Sequence, residues 1–165
     1  MVRENELTPF TFENGEQVLI RKVSPFTMLE AKDTVVKPRP PTQKVKYGDS
    51  EVEEPNVAHP DYVAALQEYN ERLNRISREL MIKRGVVVHL DDEQKQEVQE
   101  LREWWQEEYG VPLKGNDNYL YVTHFCIISD EDISTLVKAI SGVSQPTPEE
   151  IEKSKESFPG DIPGA

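Results

Sequence analysis

Six large apolar or aromatic side chains, Tyr62, Leu66, Tyr69, Leu73, Ile76 and Leu80, recur along this chain at spacings of four and three. At 3.6 residues per turn, that alternation puts all six on one seam of a single helix. Such a seam demands a covering surface, because apolar area left in water forgoes roughly 25 cal/mol per Å². The cover comes either from the rest of the fold or from another chain. Both ends of the helix are marked. His59-Pro60-Asp61 places proline at the first helical position and an acid at the positive end of the dipole. Lys83 and Arg84 suit the last turn, and Gly85 is expected as the residue after it, in the left-handed conformation.

Upstream, residues 10–12 and 18–23 read as short strands around Asn14-Gly15, a dipeptide that tolerates positive φ at both central positions of a tight turn. A small β-hairpin is expected there. Ser24 as cap and Pro25 in the first turn open a helix carrying Phe26 and Leu29, with Val35 and Val36 as further candidates, which must stop before Pro38. Residues 38–60 then read as a Pro-rich extended arm containing the turn Tyr47-Gly48-Asp49-Ser50. Fixing a backbone residue costs about 1–2 kcal/mol, and the arm has few large apolar groups to offset it, so a second hairpin and a mobile arm both stay open.

Downstream, residues 86–90 form a β-branched run, read as a strand or an extended link. Asp91 with Gln94 forms a capping box ahead of an acidic helix whose apolar positions are Val98, Leu101, Trp104 or Trp105, and Tyr109, closed by Gly110. Residues 119–128 are apolar and short. Helix is preferred over buried strand because Asn116 and Asp117 can cap it and a second capping box, Ser129 to Asp132, follows. Ile133, Leu136, Val137, Ile140 and Val143 form the next helical face, and Thr147-Pro148-Glu149-Glu150 opens an exposed, marginal helix before a flexible tail over residues 159–165.

The expected class is mainly α, with a small N-terminal β-hairpin and an extended Pro-rich arm. The expected divisions are residues 1–37, 38–60, 61–145 and 146–165. At 165 residues and 36% hydrophobic side chains, the chain has room for one modest core. Its formal charge of -12 opposes binding to a phosphate backbone or to anionic lipid, so nucleic acid and membrane are not expected partners. No apolar run approaches the roughly 20 residues that span a bilayer, and the charged first eight residues do not resemble a signal segment. One cysteine, Cys126, excludes an internal disulfide and suits a reducing compartment, consistent with a soluble cytoplasmic protein.

Catalytic chemistry finds little support. His124, Cys126, His59 and His89 are the soft ligands present, and none form the paired spacings that a zinc site uses, so no metal, cofactor or catalytic residue is expected. Cys126 lacks the marks of an activated nucleophile and reads as a small buried hydrophobe. Phosphate-cradling and nucleophile-elbow glycine patterns do not occur. The chain therefore reads as a binding protein. Its expected contact residues are Tyr62, Leu66, Tyr69, Leu73 and Trp105, from a seam able to receive an amphipathic helix and from one ring of the Trp104-Trp105 pair. Packing inside its own fold is the competing reading of the same seam.

Several segments carry a resemblance. Tyr47-Gly48-Asp49, Glu54-Pro55-Asn56, His59-Pro60-Asp61-Tyr62, Leu66-Gln67-Glu68-Tyr69-Asn70 and Lys83-Arg84-Gly85-Val86 together resemble the tail assembly chaperones of long-tailed bacteriophages. Those proteins often show a short N-terminal β-element, a Pro-rich arm, and a proline-marked entry into a long helix ending in Arg-Gly. The resemblance covers residues 10–88, about half the chain, and departs from the pattern at Pro55-Asn56-Val57, which lacks a second proline. It implies a non-enzymatic protein of the host cell cytoplasm that binds the tape measure protein, with the tail tube protein as a further partner, and keeps it soluble while the tail tube assembles. A homo-oligomer is left open. The alternative class is a structural virion component, a head-tail connector or minor tail protein, assembling through its extended arm.

Overall fold

The computed structural model describes residues 6–157, the side chains of Ser154 and Ser157 excepted. Its elements are β1 (Thr8–Thr11), β2 (Gln17–Ile20), α1 (Phe26–Asp33), β3 (Thr42–Tyr47), β4 (Ser50–Pro55), α2 (Pro60–Gly85), β5 (Val86–Val87), α3 (Asp92–Tyr109), α4 (Asp117–Tyr121), a π-helical turn (Val122–Cys126), α5 (Asp130–Ser144) and α6 (Pro148–Ser157). The fold is a helix-dominated α+β arrangement with two small antiparallel sheets, ordered β1-β2-β5 and β3-β4. The expected tail over residues 159–165, and Phe158 before it, lie outside the described residues. Among the described residues no helix is long and apolar enough to cross a membrane.

The described residues form two compact units. One comprises those up to Ser24 and from Ile82 onward, and the other is Pro25–Met81, so the boundary falls within α2.

In the first unit, β1 and β2 pair antiparallel with Phe10 opposite Val18 and Thr8 opposite Ile20, and Phe10, Val18 and Ile20 are buried. The hairpin is present, but its connection is wider than Asn14-Gly15 suggests. Phe12 N donates to Glu16 O at 2.9 Å and Gly15 N to Phe12 O at 3.0 Å, and only Gly15, at φ 87°, takes positive φ. This is a three-residue loop ending in a left-handed glycine, a geometry that accommodates the strand twist with one such residue rather than two. Residues 86–87 resolve as a strand, with Val87 opposite Leu19 and Val86 opposite Ile20. Gly85 is not the left-handed terminator expected of it: its φ is not positive, and it is buried inside the end of α2.

α5 packs on β1 and β2, contributing Leu136 and Ile140, both fully buried. Ser129 caps it, accepting from Asp132 N at 3.1 Å. The second half of the expected capping box is redirected. Asp132, only 3% exposed, accepts from Ile128 N at 3.1 Å and, across the fold, from Glu13 N at 3.1 Å.

The α3 capping box forms as expected, with Gln94 N donating to Asp91 Oδ1 at 2.8 Å and Asp91 N to Gln94 Oε1 at 2.9 Å. Val98 is its buried anchor, and Gly110 closes it. The apolar run after Asn116 is helical, and Asn116 Oδ1 accepts from Tyr119 N at 2.8 Å. Its second half widens into the π-helical turn, where Ile127 N reaches back to Val122 O at 3.0 Å. α6 opens on the expected capping box, Thr147 N to Glu150 Oε2 at 2.8 Å and Glu150 N to Thr147 Oγ1 at 3.3 Å. The Lys22 ammonium, 2.7 Å from Glu150 Oε1, together with the Thr147 backbone N–H, holds that carboxyl below its ordinary pKa.

In the second unit, α1 begins at Phe26, with Pro25 at the cap position and no side-chain cap bond, one residue later than a Ser24 cap implies. Its buried positions are Thr27 and Ala31, with Val35 beyond its end, whereas Phe26, Leu29 and Val36 are exposed. The arm resolves as a six-rung hairpin, β3 on β4, running from Thr42 opposite Pro55 to Tyr47 opposite Ser50. Asn56 N extends it by donating to Pro41 O at 2.7 Å. α2 opens at Pro60, and His59 Nδ1 accepts from Asp61 N at 3.2 Å in place of a hydroxyl or carboxylate cap.

Candidate partner-binding surface

The seam on α2 forms over the full span predicted for it. Tyr62, Leu66, Tyr69, Leu73, Ile76 and Leu80 are each half-buried, neither enclosed nor bare. Between turns of the seam the helix is polar: Glu68, Asn70, Glu71, Arg72, Asn74 and Arg75 are exposed, and Gln67 bonds Glu71 at 3.0 Å. One polar group interrupts the buried side. Ser77 is 8% exposed, and its hydroxyl has no hydrogen-bond partner among the described residues.

Trp105 belongs to the other unit, on α3, so the five expected contact residues divide into a seam of four and a separate aromatic group. Trp105 is half-buried, with its ring centroid 4.6 Å from Tyr109 and 6.2 Å, edge to face, from His124. Adjacent helical positions point about 100° apart, and Trp104 accordingly turns outward, 51% exposed. Sequence reasoning chose Trp105 and omitted Trp104, Tyr109 and Val111. The signal was available: of two adjacent indoles only one can follow the apolar side of the helix, which leaves the other toward solvent. Desolvation of the His124 imidazole lowers its pKa from the ordinary value.

The loop after α3 is held by one side chain. The Arg102 guanidinium donates to Leu113 O at 3.2 Å, Gly115 O at 2.7 Å and Asp117 Oδ1 at 2.9 Å, which fixes the aromatic end of α3 against the start of α4. A planar fork with five donors reaches three acceptors with its two terminal nitrogens, where an ammonium offers a single nitrogen.

Cys126 is fully buried, and its thiol is pushed up to about 12, first by burial and then by the nearby Glu16 and Asp132 carboxylates. A thiol in that state is a packed apolar group and not a nucleophile at neutral pH. Among the described residues no group of His, Cys, Asp and Glu is arranged to hold a metal ion. A cavity of about 180 Å³ beside β5 is lined by Arg21, Lys83, Asn116, Asn118, Tyr119 and aliphatic side chains, with no carboxylate, imidazole or thiol on its wall among the described residues.

The β3-β4 hairpin is a third surface. Lys44 opposes Glu53 and Lys46 opposes Glu51 on one face, while Val45 and Val52 pair on the other, where Tyr47 OH donates to Glu54 Oε1 at 2.6 Å. Among the described residues neither β3 nor β4 has a further strand beside it. Compared with protein-family models, curated proteins and solved structures, the chain matches none of them.

Proposed function

We propose that this protein is a tail assembly chaperone of a long-tailed bacteriophage, a non-enzymatic protein that acts in the host cytoplasm. It binds the tape measure protein and keeps that chain soluble while tail tube subunits polymerise around it. The half-buried state of Tyr62, Leu66, Tyr69 and Leu73 along α2 carries the reading. A seam that the fold leaves partly in water is a groove wall for an amphipathic helix, read at i, i+4, i+7 and i+11. The formal charge of -12 supports the same role, since an acidic carrier stays dispersed while it covers a partner's apolar stripe. The resemblance over residues 10–88 supplies the family.

The test is co-expression with a tape measure fragment, comparing the native chain with the double variant Leu66→Asp, Leu73→Asp, whose fold is checked by circular dichroism. The native chain is expected to hold the fragment in the soluble fraction and the variant to lose it. A folded variant that solubilises the fragment equally overturns the assigned surface.

The edges of β3 and β4, open among the described residues, favour a second reading, a virion structural component whose hairpin pairs with a neighbouring subunit, because a strand without a neighbour is a template for another chain. Mass spectrometry of purified particles separates the two. The chaperone is expected to be nearly absent, and a structural component is expected at fixed copy number.

A further inference from the structure

α3 carries a second surface whose chemistry differs from that of the α2 seam. Trp104 meets Trp105 and Tyr109 edge to face, with ring centroids 6.3 and 5.9 Å away. An edge-to-face contact covers a ring along one edge or over one face, and Trp104 is 51% and Tyr109 56% exposed, which leaves part of each ring in solvent. The platform is rigid because Arg102 ties its base to the following loop.

Charge decides what can sit on it. Glu100, Glu103, Glu107 and Glu108 lie one residue or one turn from Trp104, and all four are exposed. A neutral apolar partner closing over the indole would strip water from those carboxylates without replacing it, which disfavours it. A guanidinium removes that penalty twice over. It is attracted to the indole face by the ring quadrupole, and it presents paired N–H donors to the flanking carboxylates. Arg102 does not fill this role for its own helix, being turned onto Leu113, Gly115 and Asp117.

We infer that the Trp104 face of α3 docks a basic helix of a partner protein through an arginine laid on the indole between the glutamates. The inference does not depend on the partner being a tape measure protein, and Trp104 lies outside the contact set proposed above. Failure of one therefore leaves the other standing.

The full chain is titrated with a blocked amphipathic peptide of leucine and arginine, and with the same peptide in which citrulline, a neutral isostere, replaces arginine. Binding is followed by the two indole N–H resonances. The arginine peptide is expected to move the Trp104 resonance and to bind at least about tenfold tighter than the citrulline peptide. Trp104→Ala is expected to weaken it about tenfold, and Trp104→Phe to weaken it less. Because Trp104 is exposed, both variants keep the fold, and the double variant Glu103→Gln, Glu107→Gln, also at exposed positions, is expected to lose a similar factor. Equal binding of the citrulline peptide overturns the inference. So does full affinity in Trp104→Ala, which would mean attraction to a diffuse negative surface, and so does self-association of the free chain through the same rings.

Discussion

Gly85 lies against Ile140 so closely that a Cβ on the glycine would stand 2.7 Å from Ile140 Cγ2 and 2.9 Å from Cδ1, with Val23 Cγ2 at 3.1 Å. Ile140 is fully buried and has no room to withdraw. The glycine is required for the space it leaves, not for its backbone freedom. Gly85→Ala is therefore expected to destabilise the chain by about 1–3 kcal/mol, the range for overpacking a filled core, although alanine is the better helix former. Urea unfolding measures this, and an unchanged midpoint would refute the packing account.

The Asp132 carboxylate joins two backbone N–H groups, accepting from Glu13 on one oxygen and from Ile128 on the other, each at 3.1 Å. Asp132→Ala strands both donors at a part-buried site and is expected to cost about 2 kcal/mol. Asp132→Asn keeps one acceptor and is expected to cost about half as much. In hydrogen exchange, the amide of Glu13 should lose protection before the helical amides of α5 do.

Ser77 presents the opposite case, a buried hydroxyl with nothing to bond. Replacing it by alanine removes the desolvation cost and improves helix propensity, for an expected gain of about 1 kcal/mol, or roughly 2–4 °C in Tm. A loss of stability on Ser77→Ala would mean that the hydroxyl is bonded in solution.

The Cys126 thiol, at about 12 against an ordinary 9.0, gives two measurements. At pH 8 the native chain should react with iodoacetamide at least roughly a thousandfold slower than the urea-unfolded chain, since the thiolate fraction alone falls by that factor. The folded pKa is raised, so the unfolded chain releases the proton first as pH rises. The thiol's contribution to stability is thus complete below pH 9.0 and is lost progressively toward about 12. Cys126→Ala should flatten that alkaline decline while costing core packing at every pH.

Local signals carried over from residue order to structure wherever the physics is local. The Asp91/Gln94 and Thr147/Glu150 boxes each satisfy orphan amides within three residues of themselves, so nothing distant competes with them. The spacing from Tyr62 to Leu80 likewise fixes a seam whatever lies beyond it. What failed depended on a partner far along the chain. Gly85 has its role because Ile140 lies 55 positions later, and Asp132 left its capping box because the hairpin turn presents an amide to it. The choice left open at residues 86–90, strand or extended link, falls to strand at Val86 and Val87, where β2 offers an edge. On the candidate surface, the half-buried state of the α2 positions was not legible, since periodicity names a face without saying how much covers it. The outward Trp104 was legible in principle, as the complement of Trp105.

Arg102 spends its guanidinium on the loop from Leu113 to Asp117, which removes a cation from the outer side of α3. Lys95 is then the one exposed cation of α3, against the exposed Asp92, Glu93, Glu97, Glu100, Glu103, Glu107 and Glu108. Seen from solution, the helix behaves as a polyelectrolyte rod of a single sign, repelling its own kind and collecting counterions. Its encounters with any oppositely charged chain should accordingly speed up as the buffer is diluted.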